Sequence, residues 1–174
     1  VPHGSGAVQE RRRAEGRQGP AMSLAPPITT HALTVDHRER LMRLARDVSF
    51  GEGERIFEEG QRADRFWIVR TGTVSLDIHV PGRQAPVVET LGHNELIGWS
   101  WLFEPYVWQL GAEALSPVRA HEFDADAVRD LCRSDPALDA AISRWVGRVL
   151  AHRLQAARNR LLDIYAPHGS GAWI

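Results

Sequence analysis

From Phe50 to Gly72 the chain alternates short apolar runs with glycine-bearing breaks. Arg55-Ile56-Phe57 and Phe66-Trp67-Ile68-Val69 sit between Gly51, Gly53, Gly60 and Gly72. The β-branched and aromatic runs fit half-buried strands, and Glu59-Gly60-Gln61 and Thr71-Gly72 read as turns. Further strands are predicted over 73–80 and 86–91, about a turn at Pro81-Gly82-Arg83, and over 109–114 and 118–123. Pro117 sits at a strand start, where its missing N–H is tolerated. Ahead of these strands, Leu41, Leu44 and Val48 recur at helical spacing and predict a helix over 33–49. After them, Asp124 caps a short helix through Cys132, and Asp135 followed by Pro136 opens a last helix that runs to Tyr165. The pattern predicts a mainly β fold with flanking α: a small roll, sandwich or barrel between an N-terminal helix and a long C-terminal one. One domain spans 33–165, with helix 33–49, roll 50–123 and helices 124–165. Residues 1–32 and 166–174 are polar and rich in Gly and Pro, and read as disordered tails.

In detail, the order of residues in FGEGERIFEEGQRADRFWIVRTG resembles the cyclic-nucleotide-binding domain of the Crp/Fnr type. The shared order is an aromatic, Gly-Glu, an Ile-Phe pair, Glu-Gly, Ala-Asp, an aromatic-Ile-Val strand and a closing Gly. The resemblance implies a cyclic-nucleotide-binding roll, a jelly-roll-like double-stranded β-helix, and a non-enzymatic sensor or regulatory role, in which the long C-terminal helix carries the signal and forms a dimer axis. A winged helix-turn-helix normally follows that helix in the family. Nine residues follow Tyr165 here, so the expectation is a stand-alone domain without specific DNA binding.

The resemblance places the ligand pocket between Leu91 and Ala114. There the family runs Ile-Gly into a Glu, a short helix facing the cyclic phosphate, then Arg, Ser or Thr, and Ala. Helix N-terminal amides and an arginine suit the anion, and the carboxylate suits the ribose. Ile97-Gly98 matches the lead-in and Leu102-Phe103 the end of the helix. Trp99 replaces the Glu, and Tyr106, Val107 and Trp108 replace the Arg, Ser or Thr, and Ala. The cassette is therefore degenerate, and weak or no binding of cyclic AMP or cyclic GMP is expected.

The segment resembles a stand-alone subgroup with a Trp-Ser-Trp-Leu-Phe, Pro-Tyr, Trp signature, although Val107 stands where an arginine is expected. Two readings are open at this point. Gly98, Trp99, Ser100, Trp101, Tyr106, Val107 and Trp108 form a re-tooled site for a flat effector, stacked between Trp99 and Trp108. Alternatively the aromatics plug the pocket, and the chain is a ligand-free dimeric interaction protein.

The last helix would be roughly 45 Å long at 1.5 Å per residue. Its first half, through Leu138, Ile142 and Trp145, suits packing on the roll. Its second half places Leu150, Leu154, Ala157, Leu161 and Ile164 on a heptad seam flanked by Arg148, Arg153, Arg158 and Arg160, which predicts a homodimer interface.

Composition narrows the remaining classes. All 21 basic residues are arginine, yet the net charge is −1, which gives nucleic acid and anionic membranes no general hold. Arg11 to Arg13 read as part of a solvated tail. A single cysteine, Cys132, excludes an internal disulfide and a four-thiolate cluster. No apolar run suffices to cross a bilayer, and a cytoplasmic location is the default. His79, His93, Glu95 and His121 are the candidate ligands of a cupin-like metal enzyme, but they lack a His-x-His pair. No cofactor, metal or catalytic residue is assigned. Met22 is a candidate internal start, and Pro-His-Gly-Ser-Gly-Ala occurs at both ends.

Overall fold

The structure, a computed structural model, describes residues 29–82 and 85–165. The elements are α1 (Val35–Met42), β1 (Arg46–Phe50), β2 (Arg55–Phe57), β3 (Arg65–Thr71), β4 (Val74–Asp77) and β5 (Val87–Leu91). They continue as β6 (Leu96–Ile97), β7 (Gly111–Ala114), β8 (Val118–Asp124), α2 (Ala125–Ser134) and α3 (Pro136–Tyr165). The strands pair antiparallel in two four-stranded sheets, ordered β1-β8-β3-β6 and β2-β7-β4-β5. This is the anticipated β-roll with flanking helices. The Arg11–Arg13 cluster, Met22 and both Pro-His-Gly-Ser-Gly-Ala repeats lie outside the described residues.

The inner faces of the roll are filled by the apolar runs. In β3, Phe66 to Val69 are all buried, so both faces of this strand are covered. Fully burying side chains of this size stabilises by about 1.5–3 kcal/mol each. Two aromatic ladders order the core. In one, Phe66 lies between Phe123 at 4.7 Å and Trp101 at 4.3 Å, with all three rings nearly parallel. In the other, Phe57 stacks on Trp67 at 5.6 Å and on Trp108 at 4.1 Å. Each ladder thus takes one ring from the segment between β6 and β7.

The N-terminal part differs from expectation in two places. The helix stops at Met42, and Val48 lies in β1, opposite Ala120 of β8. Leu41, Leu44 and Val48 happen to satisfy helical spacing, whereas Val48 and Phe50 also satisfy the alternation of a strand, and pairing with β8 decides between the two periods. Thr29 to Ala32 fall in the stretch whose composition predicts a disordered tail. Instead Thr30–Ala32 form a 3-10 turn with Thr30 only 5% exposed.

The helix signals act as anticipated. Asp124 Oδ1 accepts from Ala127 N at 2.9 Å to cap α2. Asp135 Oδ1 accepts from Ala137 N and Leu138 N at 3.0 and 3.1 Å to cap α3. The bond from Leu138 N, helped by Arg40 of α1, holds the Asp135 carboxyl below the usual carboxylate range. The first half of α3 buries Leu138, Ile142, Trp145, Val146 and Val149. The second half presents Leu154 and Leu161 at 72% and 55% exposure, with Ala157 between them exposed and Leu150 ahead of them half-buried. The side chain of Ile164 lies outside the described residues.

Candidate functional site

The segment from Gly98 to Trp108 leaves β6 and returns to β7 across the mouth of the roll. The resemblance implies a short helix here, but only a turn forms, closed by Leu102 N donating to Trp99 O at 3.2 Å. Glu104 precedes Pro105 and is thereby biased away from the helical region, and the proline has no N–H to donate. Burial of Trp101 against Phe66 fixes one end of the segment. At the other end its backbone pairs with the turn after β2. Gly60 N donates to Trp108 O and Trp108 N to Gln61 O, both at 2.9 Å, and Ala63 N donates to Tyr106 O at 2.7 Å. The Trp108 amide is therefore occupied by protein, and no multi-turn helix offers its N-terminus to an anion.

Trp108 takes the space. Its ring lies against Gly98, where a Cβ would come within 2.4 Å of Trp108 Cζ3, and Gly98 has φ +77°. Only glycine meets both conditions without strain. Phe57, Leu76, Gly98, Trp99, Ser100 and Trp108 surround a residual cavity of about 10 Å³, which Arg153 reaches from α3. That volume holds about one water.

The structure brings Gly98, Trp99, Ser100 and Trp108 together, but it sends the other predicted site residues elsewhere. Trp101 is fully buried on Phe66. Tyr106 turns toward α2, where the Arg129 guanidinium sits 4.3 Å from its ring centre. Val107 is half-buried and forms an isolated bridge with Arg62. Trp99 meets Phe103 edge-on at 6.2 Å. Arg129 holds the segment from outside: it donates through Nη1 to Trp101 O and through Nη2 to Asp126 Oδ1 at 2.6 Å. That bond from Arg129 pulls the Asp126 carboxyl below its ordinary pKa.

Arg153 was read from sequence as a flank of the helix seam, yet it faces the roll. It donates through Nη2 to Leu96 O at 2.6 Å, and its Nε lies 3.1 Å from Glu89 Oε2. Burial disfavours its charged form, so its pKa is lowered from the usual guanidinium value even with Glu89 and Glu95 nearby. Burial also raises Glu95 above the ordinary carboxylate range, against the opposing bond from Gly92 N. Arg160 bonds Val88 O. Leu76 pairs with Glu89 and Asp77 with Val87, which leaves Val88 as the bulged residue whose carbonyl Arg160 takes up. No sequence signal distinguishes Arg153 from the exposed arginines on α3.

The candidate metal ligands serve separate contacts. His93 Nδ1 lies 2.7 Å from Arg70 O, Glu95 accepts from Gly92 N at 2.7 Å, and His121 Nδ1 meets Asp47 at 2.9 Å. Among the described residues no three His, Cys, Asp or Glu side chains cluster as a metal would need. No helix among them is long and apolar enough to cross a membrane.

Comparison with known proteins fits this architecture. The chain is 30% identical over 124 residues to a CRP-like cAMP-activated global transcriptional regulator of Mycobacterium tuberculosis; the match covers 71% of this chain and 54% of that protein. The chain thus spans about half the length of the curated relative it matches. The N-terminal domain of a transcriptional regulator from Streptomyces coelicolor A3(2) superposes with a TM-score of 0.61 at 26% identity, covering 74% of this chain and 91% of that one. The c-di-GMP responsive global regulator CLP of Xanthomonas campestris shares the fold alone, with a TM-score of 0.68 at 17% identity over 77% of this chain and 66% of that one. Residues 47–135, about half of the chain, match the family described as the cyclic nucleotide-binding domain, and the chain belongs to that family.

Proposed function

We propose that this chain is a non-enzymatic regulatory module whose nucleotide pocket is closed by its own side chains and whose output surface is α3. The carrying observation is the seat of Trp108 on Gly98, which leaves about 10 Å³ where a nucleotide would need to enter. With Trp99 in place of the ribose-binding carboxylate and Tyr106 in place of the arginine, the remaining polar groups give a cyclic phosphate little to bind. Binding of cyclic AMP and cyclic GMP is weak or absent. Of the two readings open in the sequence, the filled cavity favours the plugged one.

The second half of α3 is the interaction surface. Leu154 and Leu161 are 72% and 55% exposed on one side of the helix, and exposed leucines in a heptad pattern favour a matching helix. The matching helix is that of a second copy, which makes the module a cytoplasmic homodimer that signals to a protein partner. A net charge of −1 gives it no hold on duplex DNA. Light scattering at tens of micromolar tests this arrangement. The expected result is a dimer, converted to a folded monomer by Leu154→Arg, and a monomeric unmodified chain contradicts it.

A further inference from the structure

A cavity of about 210 Å³ lies between the start of α1 and the first half of α3, apart from the pocket of the roll. Alanines of α3 form its apolar wall. Its polar groups are Thr34, His37, Arg144, Trp145 and Arg148, and no carboxylate lines it. Asp36, the acid in the first turn of α1, is 75% exposed and lies toward Arg40 at 4.0 Å instead.

Two observations favour one kind of occupant. Arg144 and Arg148 are four residues apart on the same helix, where like charges repel, and neither has an ion-pair partner among the described residues. Moreover, α1 begins here. Thr34 Oγ1 accepts from His37 N at 3.3 Å, which leaves the amides of Val35 and Asp36 without intrahelical acceptors at the positive end of the helix.

We propose that this cavity binds a compact organic anion: one six-membered ring carrying a carboxylate or phosphate. Its size sets the body of the ligand, since a cavity of roughly 150 Å³ accommodates benzene, and about 210 Å³ leaves room for one anionic substituent. The ring lies on the alanine wall beside Trp145. The anion lies between Arg144 and Arg148, whose planar guanidinium groups suit carboxylate and phosphate oxygens, and relieves their mutual repulsion. A water-filled gap explains the same arginines only as solvated side chains, and the two accounts separate by titration. The site is distinct from the pocket of the roll, so its occupancy does not depend on whether that pocket binds nucleotide.

The test uses the uniformly ¹⁵N-labelled chain and follows the assigned Trp145 indole cross-peak. The probes are benzoate and phenyl phosphate, with benzyl alcohol and benzamidine as neutral and cationic controls. The expected result is a saturable shift with a midpoint at or below about 1 mM for either anion and none for the controls. Arg144→Gln with Arg148→Gln should weaken that binding at least about tenfold. Both side chains are exposed, so the doubly substituted protein should melt within about 2 °C of the original. No saturable shift up to about 10 mM, an equal response to benzyl alcohol, or unchanged binding in the double variant would overturn the proposal.

Discussion

The Nε of Arg153, carried by α3, lies 3.1 Å from the Glu89 carboxylate on β5, while Nη2 of the same guanidinium donates to Leu96 O of β6 at 2.6 Å. β5 is an edge strand of one sheet and β6 an edge strand of the other. One side chain therefore ties the long helix to both halves of the roll at once, and it does so at the rim of the filled pocket. Its remaining nitrogen, Nη1, is buried without a partner. Any change in the pocket that displaces Arg153 alters how the helix is held, which is the physical link that the proposed output through α3 requires.

Removing one member of this pair leaves the other desolvated and unpaired. Arg153→Met should cost about 2–3 kcal/mol, with Glu89→Gln alone costing less because an amide still accepts. The double variant should lose less than the sum of the two, since no unpaired charge remains. Denaturant unfolding of all four proteins measures this coupling. Strict additivity would show that the contact carries no energy.

The seat of Trp108 depends on Gly98. Gly98→Ala places a Cβ 2.4 Å from the Trp108 ring at φ +77°, so it should destabilise the fold by about 1–3 kcal/mol and displace the ring. A fall in melting temperature with a changed near-ultraviolet dichroism signal is expected. Unaltered stability and spectrum would mean that the ring does not rest there.

Acid sensitivity should trace in part to the cap of α3. The folded-state pKa of Asp135 is depressed, first by the Leu138 amide and then by Arg40. Its contribution is complete above the unfolded value of about 3.9 and is lost as pH falls through the lower folded value. Asp135→Asn keeps the cap and removes the charge. The stability difference between the two proteins should be widest above about pH 4 and close below it. A difference that is constant from neutral to strongly acid conditions would contradict the assignment.

The roll was legible because its turns are written in glycine and its strands in short apolar runs, and the caps Asp124 and Asp135 announced both closing helices. β1 was missed because over one short window its apolar residues fit two periods, and only the pairing partner 70 or so residues away selects one. The pocket was half legible. Sequence identified the aromatics that crowd it, but Tyr106, with φ +55°, turns outward to Arg129 on α2. A backbone reversal of that kind is set by tertiary contacts rather than by neighbours in the chain. Arg153 was invisible for the same reason: its partners lie on β5 and β6, and along α3 it repeats the spacing of arginines that remain in solvent.

The closure of the nucleotide pocket is tested most directly by calorimetric titration of the purified chain with cyclic AMP and cyclic GMP. Loss of two charge-assisted hydrogen bonds, each worth roughly 1.5–3 kcal/mol, lowers affinity by a factor on the order of 10² to 10⁴ relative to an intact site, before Trp108 is displaced from its seat. The predicted result is no saturable heat with either nucleotide at millimolar concentration. Saturable micromolar binding of either one, abolished by Trp99→Ala, would contradict it and show that the pocket opens.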